Sequence, residues 1–236
     1  MAALAPEEQV RVPVLVADWL SAAFVHWPVD AAAVQAMLPP GLTVDLYDGQ
    51  AWLTITPLRM ADVGAPYLGA LPRLTFAETN FRTYVRAANE RDGIYFLRIE
   101  AASALFTTAA RAAAGAPYEL GDLSIVETDG VISYGGALRD GRCSYRIDVR
   151  PGERIVDPSP QDVWLTGRWR AYTWHLGRLL ETPVEHEPWP LSSATVDKLH
   201  QTLAEASGLP GPGPDPLVHF SEGVRNVRLG VSRPVR

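Results

Sequence analysis

What most limits the fold of this chain is a series of Asp-Gly dipeptides set between short segments of alternating character: Asp48-Gly49, Asp92-Gly93, Asp129-Gly130 and Asp140-Gly141. A two-residue hairpin turn needs positive φ at its central positions, which Asp tolerates and Gly favours, so each dipeptide predicts a turn between antiparallel strands. Ahead of the first, Leu42, Val44 and Leu46 alternate with polar neighbours; after it, Trp52, Thr54 and Thr56 alternate with Ala51, Leu53 and Ile55. The same logic predicts strands over 76–86 and 94–100, then a meander over 118–127, 131–138 and 142–150. Further pairs are expected at 169–176 with 179–187, and at 217–221 with 224–229.

Helices are short and sit between these strands. Asp30 is expected to cap 30–38, which Pro39-Pro40-Gly41 stops. Ser103 caps 104–114 and Gly115 ends it, while Ser159-Pro160-Gln161-Asp162 opens a third helix with Pro at its first position. Val196, Leu199 and Leu203 recur at helical spacing and predict an amphipathic helix ending at Gly208. Residues 59–75, with Gly64, Pro66, Gly69 and Pro72, read as a loop, and Gly211-Pro212-Gly213-Pro214 as a stiff linker. The sum is a mainly β chain with peripheral helices (α+β), one domain over 1–236 whose first twelve residues form a flexible arm.

Composition narrows the partners. Net charge is −6 and no basic run is interleaved with aromatics, so a nucleic-acid surface is disfavoured. No apolar run approaches the length of a membrane span, and the first residues lack the basic start and apolar stretch of a secretory signal. A single cysteine, Cys143, fits a reducing cytoplasm. The five histidines, His26, His175, His186, His200 and His219, include no pair at helical zinc spacing, so neither a metal nor a cofactor is expected. Nucleophile elbows, phosphate-cradling loops and dinucleotide fingerprints are absent as well.

Within residues 76–86 the side chains of Glu78, Asn80, Arg82, Tyr84 and Arg86 fall on one strand face and Phe81, Thr83 and Val85 on the other. If that polar face lines a barrel interior, its groups need partners, and a ligand can supply them. If it faces water, Glu78 and Arg82 are an ordinary surface pair worth little. Arg111 either reaches a cavity or points to solvent from an alanine-rich helix, and Tyr118 either offers its phenol to the cavity or is one more strand aromatic. Glu185 and Glu187 flank His186 but point to the opposite strand face, so the three do not form a chelating set. Lys198, the only lysine, could in principle form an imine, yet it lies off the apolar stripe of its expected helix.

Several stretches carry a resemblance: Phe24-Val25-His26-Trp27-Pro28-Val29, Leu38-Pro39-Pro40-Gly41-Leu42, Asp48-Gly49-Gln50-Ala51-Trp52, Glu78-Thr79-Asn80-Phe81-Arg82-Thr83-Tyr84-Val85, Gly115-Ala116-Pro117-Tyr118 and His186-Glu187-Pro188-Trp189. From about Asp18 to Trp189 the chain resembles the bacterial YqjF-like proteins (domain of unknown function 2071), an uncharacterised family within the acetoacetate decarboxylase-like superfamily. The resemblance implies a double-sheet antiparallel β-barrel with a ligand cavity inside and helices outside. It also implies that Glu78 matches the interior glutamate of the decarboxylase, and that Tyr118 stands where the decarboxylase has its Schiff-base lysine. Glu119-Leu120-Gly121-Asp122 departs from the relatives, which more often carry a basic residue and a methionine there.

The functional expectation is therefore a small-molecule-binding barrel, acting by acid-base chemistry of lyase or isomerase type on an oxygenated or carboxylated metabolite without an imine. Glu78 and Arg82 are the expected catalytic residues, and Asn80, Tyr84, Arg111, Tyr118 and His186 the expected substrate contacts. The rival expectation is a binding or sensing module without turnover, since a fold does not fix a function. Self-association into a homo-oligomer stays open.

Overall fold

The first turn forms as its chemistry requires: φ is 49° at Asp48 and 75° at Gly49, and 51° and 73° at Asp129 and Gly130. The computed structural model describes residues 3–67, 72–211 and 213–235. In chain order the elements are β1 (Leu15–Val29), α1 (Ala31–Gln35), β2 (Leu42–Val44), β3 (Ala51–Gly64), β4 (Leu74–Ala87), β5 (Asp92–Ala101), α2 (Ala104–Ala114), β6 (Tyr118–Thr128), β7 (Val131–Leu138) and β8 (Ser144–Arg154). They continue with α3 (Pro160–Thr166), β9 (Arg170–His175), β10 (Arg178–Glu185), β11 (Leu191–Gln201), α4 (Leu203–Ala206), β12 (Leu217–Leu229) and β13 (Arg233–Pro234).

Following the strand pairings around, β5-β6-β7-β8-β11-β12-β1-β3-β4 closes on itself through β4–β5, a nine-strand barrel. β9 and β10 leave β5 and return to β12, closing a second, smaller ring on the outside of β12, β1, β3, β4 and β5. Those five strands are a shared wall with an interior on each face. Pairing is antiparallel except for β5–β6 and β5–β9. The β5–β6 exception follows from α2, a crossover that returns the chain in the same direction.

The nine-strand interior is mainly apolar, with Thr79 and Glu100 among its buried polar groups. Val25, Leu53, Ile55 and Phe81 of the wall meet Ile132, Tyr134, Ile147 and Val149 of β7 and β8. Burying such side chains is worth about 1.5–3 kcal/mol each, so this interior carries much of the fold's stability.

Several sequence expectations change here. β1 was not expected as an element, because both of its faces are buried and no clean alternation marks it. The expected loop at 59–75 is strand at both ends: β3 runs to Gly64 through a bulge where Asp62 has φ 49°, and β4 starts at Leu74. Gly69, named in that loop, lies outside the described residues, as does Pro212 of the expected linker. The helix predicted from Val196, Leu199 and Leu203 is strand β11 up to Gln201, followed by the single turn of α4. A register shift between Val196 and Lys198 inserts one residue, so two same-face strand positions stand three apart and mimic a helical period.

The turn expected at Asp92-Gly93 sits earlier, where Glu90 has φ 62° and Ala87 accepts from its backbone N–H. Asp92 and Gly93 already belong to β5; a Cβ at Gly93 would lie 2.9 Å from the carbonyl of Arg170, which explains the glycine. Residues 217–229 form one strand, with a register shift between Val224 and Val227, rather than two. The N-terminal arm makes contacts with the barrel: the Trp169 indole donates to the Ala3 carbonyl, Arg170 pairs with Glu7, and Val10 is buried. Helix caps at Asp30, Ser103 and Ser159 form as predicted, the last as a full capping box with Asp162.

Candidate functional site

Because β4 belongs to the shared wall, alternation along it sorts side chains between two buried interiors rather than between core and water. Thr79 and Phe81 enter the nine-strand side, where the hydroxyls of Thr79 and Tyr145 lie 2.6 Å apart. Glu78, Asn80, Arg82 and Tyr84 enter the smaller chamber and are 4%, 8%, 8% and 0% exposed, so the solvent-facing reading is excluded. Register sets their neighbours: Leu58, Thr56 and Thr54 of β3 stand opposite Glu78, Asn80 and Arg82, and His26 of β1 stands opposite Thr54. Arg86 lies at the rim and pairs with Asp45 at 3.0 Å.

Glu78 accepts a hydrogen bond from the Tyr118 hydroxyl at 3.1 Å. Burial pushes its carboxyl up to about 8, against the opposing effect of hydrogen bonds from Tyr118 and Asn80. Burial and the neighbouring Glu78 likewise push the Tyr118 phenol well above the usual range. At neutral pH this pair holds a proton on a carboxyl group inside an apolar surround of Phe76, Phe106 and Ala101.

Arg82 is the anomaly of the chamber. Its guanidinium lies 5.7 Å from the centroid of Phe24, and its Nε has no partner. The other buried arginines all have carboxylates: Arg98 with Glu119, Arg168 with Asp45 and Asp92 at 2.8 Å each, and Arg170 with Glu7 at 2.6 Å. Among the described residues Arg82 has none. Burial lowers its proton affinity, with Tyr84 opposing. Asn80 Oδ1 and Thr56 Oγ1, opposite one another on β4 and β3, are also buried without partners.

An aromatic wall stands over this group. Trp189 meets Phe24 edge-on at 5.0 Å and His186 at 5.1 Å, and His186 also packs on Trp169 at 4.7 Å and Trp19 at 5.5 Å. Burial and the nearby Arg82 bring the His186 imidazole down to about 4, so it is neutral.

A second polar line was not read from the sequence. Asp162 Oδ1 lies 2.9 Å from His219 Nε2, His219 Nδ1 3.2 Å from His26 Nε2, His26 Nδ1 2.8 Å from Thr54 Oγ1, and Thr54 Oγ1 2.7 Å from the Tyr84 hydroxyl, which donates to the Leu165 carbonyl at 2.8 Å. His26 and His219 are 193 residues apart in the chain, and only the β1–β12 register brings them together.

One expectation is corrected: Arg111 does not reach the chamber, because its side chain is exposed on α2. Two cavities among the described residues are lined by other residues than the row: a groove of about 210 Å³ along the N-terminal arm, and a cleft of about 20 Å³ between Trp169, Gly167 and Trp189. Trp189, which lines the smaller one, also packs against Phe24 and His186. Among the described residues no helix is long and apolar enough to cross a membrane, and no three acidic, His or Cys side chains converge as a metal site requires.

The two fused rings define an acetoacetate decarboxylase-like barrel. An acetoacetate decarboxylase from Legionella pneumophila superposes with a TM-score of 0.65 at 13% identity, covering 94% of this chain and 87% of that one. The enduracididine biosynthesis enzyme MppR, complexed with pyruvate, gives 0.67 at 16% identity, covering 97% and 93%. The chain belongs to the DUF2071 family, described as an uncharacterized conserved protein, whose pattern matches residues 16–225. It is 32% identical over 208 residues to the uncharacterized protein YqjF of Bacillus subtilis (strain 168), covering 86% of each chain.

Proposed function

We propose that the smaller chamber binds a small oxygenated or carboxylated compound and that Glu78 exchanges a proton with it, in lyase- or isomerase-type chemistry without an imine. The observation that carries this reading is Arg82, the one buried arginine among the described residues that no carboxylate neutralises. A buried, uncompensated guanidinium is costly, and a planar anion offers the match its fork requires. Asn80 Oδ1 and Thr56 Oγ1 are poised for further polar contacts, and Phe24, Trp189 and His186 would cover the apolar part of the ligand.

Glu78 is protonated at neutral pH, so it begins as an acid and becomes a base once it has released its proton. Tyr118 stabilises the resulting carboxylate by donating its hydroxyl. Imine chemistry has no nucleophile here: Tyr118 occupies the lysine position of the resemblance, and Lys198 is exposed on β11. That MppR has been seen with pyruvate makes pyruvate a natural first probe. A net charge of −6 and a lone buried Cys143 fit a small-molecule partner in the cytoplasm rather than nucleic acid.

The same Arg82 site also supports one alternative, a module that binds without turnover, since a fold does not fix a function. Native mass spectrometry against a library of small carboxylates, pyruvate included, separates the readings. Wild type is expected to retain a member that Arg82→Met does not, and Glu78→Gln to retain it without converting it. Equal retention by wild type and Arg82→Met rejects the site; a ligand bound but never changed by wild type leaves the binding module.

A further inference from the structure

The line from Asp162 to Tyr84 contains more hydrogen-bond contacts than neutral side chains can fill. Its five successive contacts run Asp162–His219, His219–His26, His26–Thr54, Thr54–Tyr84 and Tyr84–Leu165 carbonyl, all at 3.2 Å or less, beside a longer cross-contact of His26 Nδ1 with the Tyr84 hydroxyl at 3.4 Å. With both imidazoles neutral, His219, His26, Thr54 and Tyr84 each bring a single proton, four protons for five contacts. The Asp162 carboxylate and the Leu165 carbonyl can only accept. One added proton fills every gap in one direction: His219 donates through Nε2 to Asp162 and through Nδ1 to His26, His26 to Thr54, Thr54 to Tyr84, and Tyr84 to Leu165.

We propose that Asp162, His219, His26, Thr54 and Tyr84 form a proton relay that takes up one proton when an anion occupies Arg82. This deepens the reading given above, since it assigns a regulation to the same chamber. The proton arrives from bulk buffer at the Asp162 end, where the carboxylate is 16% exposed, and comes to rest as an N–H bond of the histidine pair beside that carboxylate. No other bond forms or breaks.

Charge explains why the fifth proton waits. Facing the pair are Arg82 and Tyr84 from β4, Arg168 stacked on Tyr84 at 5.0 Å, His186 behind Arg82, and Asp162 from α3. Burial, the partner imidazole and Arg82 all disfavour a charged His26, while Asp162 favours a charged His219 against its burial. A carboxylate on Arg82 offsets the one permanent charge that opposes protonation of His26, and Asp162 then has less to oppose it. Asp162 is held for this role: its other oxygen accepts from the Ser159 backbone in the α3 capping box. These are positioning residues, because none of them is required to touch the ligand.

The relay can be tested without knowing the ligand. In full-length protein with ¹⁵N-labelled histidine, ring-nitrogen shifts of His26 and His219 are followed against pH in wild type, Arg82→Met and Arg82→Lys. Arg82→Met, which removes the charge an anion would neutralise, is expected to raise the midpoint of the pair by about one pH unit or more. Arg82→Lys, which keeps the charge, is expected to titrate as wild type and controls for repacking. Asp162→Asn in the Arg82→Met background is expected to reverse the shift. Midpoints that do not move in Arg82→Met overturn the relay, and so does an equal rise in Arg82→Lys. If pyruvate or another small carboxylate binds at Arg82 while the midpoints stay fixed, the relay fails and the binding site stands; a moved midpoint with no carboxylate bound in the library screen has the opposite meaning.

Discussion

The two interiors of this barrel share five strands and differ in almost everything else. The nine-strand side is filled mainly by Phe81, Val25, Ile55, Ile147 and their neighbours; Thr79 is mated with Tyr145 and Cys143 with Glu100, while Trp27 Nε1 and Glu100 Oε2 are buried without partners. The smaller side receives the alternate residues of the same strands, yet it holds a protonated carboxyl, a guanidinium without a carboxylate, and unpartnered atoms on Asn80 and Thr56. One side is built for stability. The other keeps polar groups that cost stability, which is the pattern expected where a ligand completes the hydrogen bonding.

The largest effect should come from the apolar side. Phe81→Ala removes a ring 1% exposed at the centre of the nine-strand interior and is expected to cost about 3–5 kcal/mol in urea unfolding. A small loss there would mean that this interior is not the stabilising core.

The next test reverses the logic on the other face. Glu78 holds its proton to about pH 8 in the fold, whereas an unfolded glutamate releases it near 4.5. The folded state therefore binds more protons across that window, and stability is full below it and falls as pH rises through it, by several kcal/mol in all. Glu78→Gln is expected to flatten this decline, read as urea midpoints from pH 4 to 9. An unchanged slope would place the Glu78 carboxylate in contact with water.

Arg82→Met sharpens the contrast further. Replacing a buried, uncompensated charge by an apolar side chain is expected to leave stability unchanged or raise it by about 1 kcal/mol, in contrast to the loss expected for Arg168→Met, which removes the buried cation that Asp45 and Asp92 share. Thermal unfolding of the two variants side by side gives the comparison. Smallest of all is Arg111→Ala on the exposed face of α2, expected to stay within about 0.5 kcal/mol of wild type and to leave ligand binding untouched.

Much of this contrast was legible in the chain. The Asp-Gly turns and the alternation of 76–86 gave the strands, and the even-numbered row was recognisable as one face. What could not be read was which side of a strand is wet, because β1, β3 and β4 are buried on both faces and lose the usual signal. The bulge at Val196–Lys198 disguised β11 as a helix for a related reason: an inserted residue changes the period without changing the composition. His26, His219 and Asp162 escaped notice because their contacts are made by register between distant strands. The His26 string was visible only as part of a family pattern, and no local spacing ties it to a histidine near the C-terminus.

The central claim is that Arg82 waits for an anion inside the smaller ring. Side-chain NMR of ¹⁵N-arginine protein observes its Nε–H directly while pyruvate and other small carboxylates are titrated in. A saturable shift of the Arg82 resonance is expected, with Arg168 and Arg170, already paired with carboxylates, unmoved. An Arg82 signal indifferent to every carboxylate, or one that moves only in step with its paired neighbours, would contradict it.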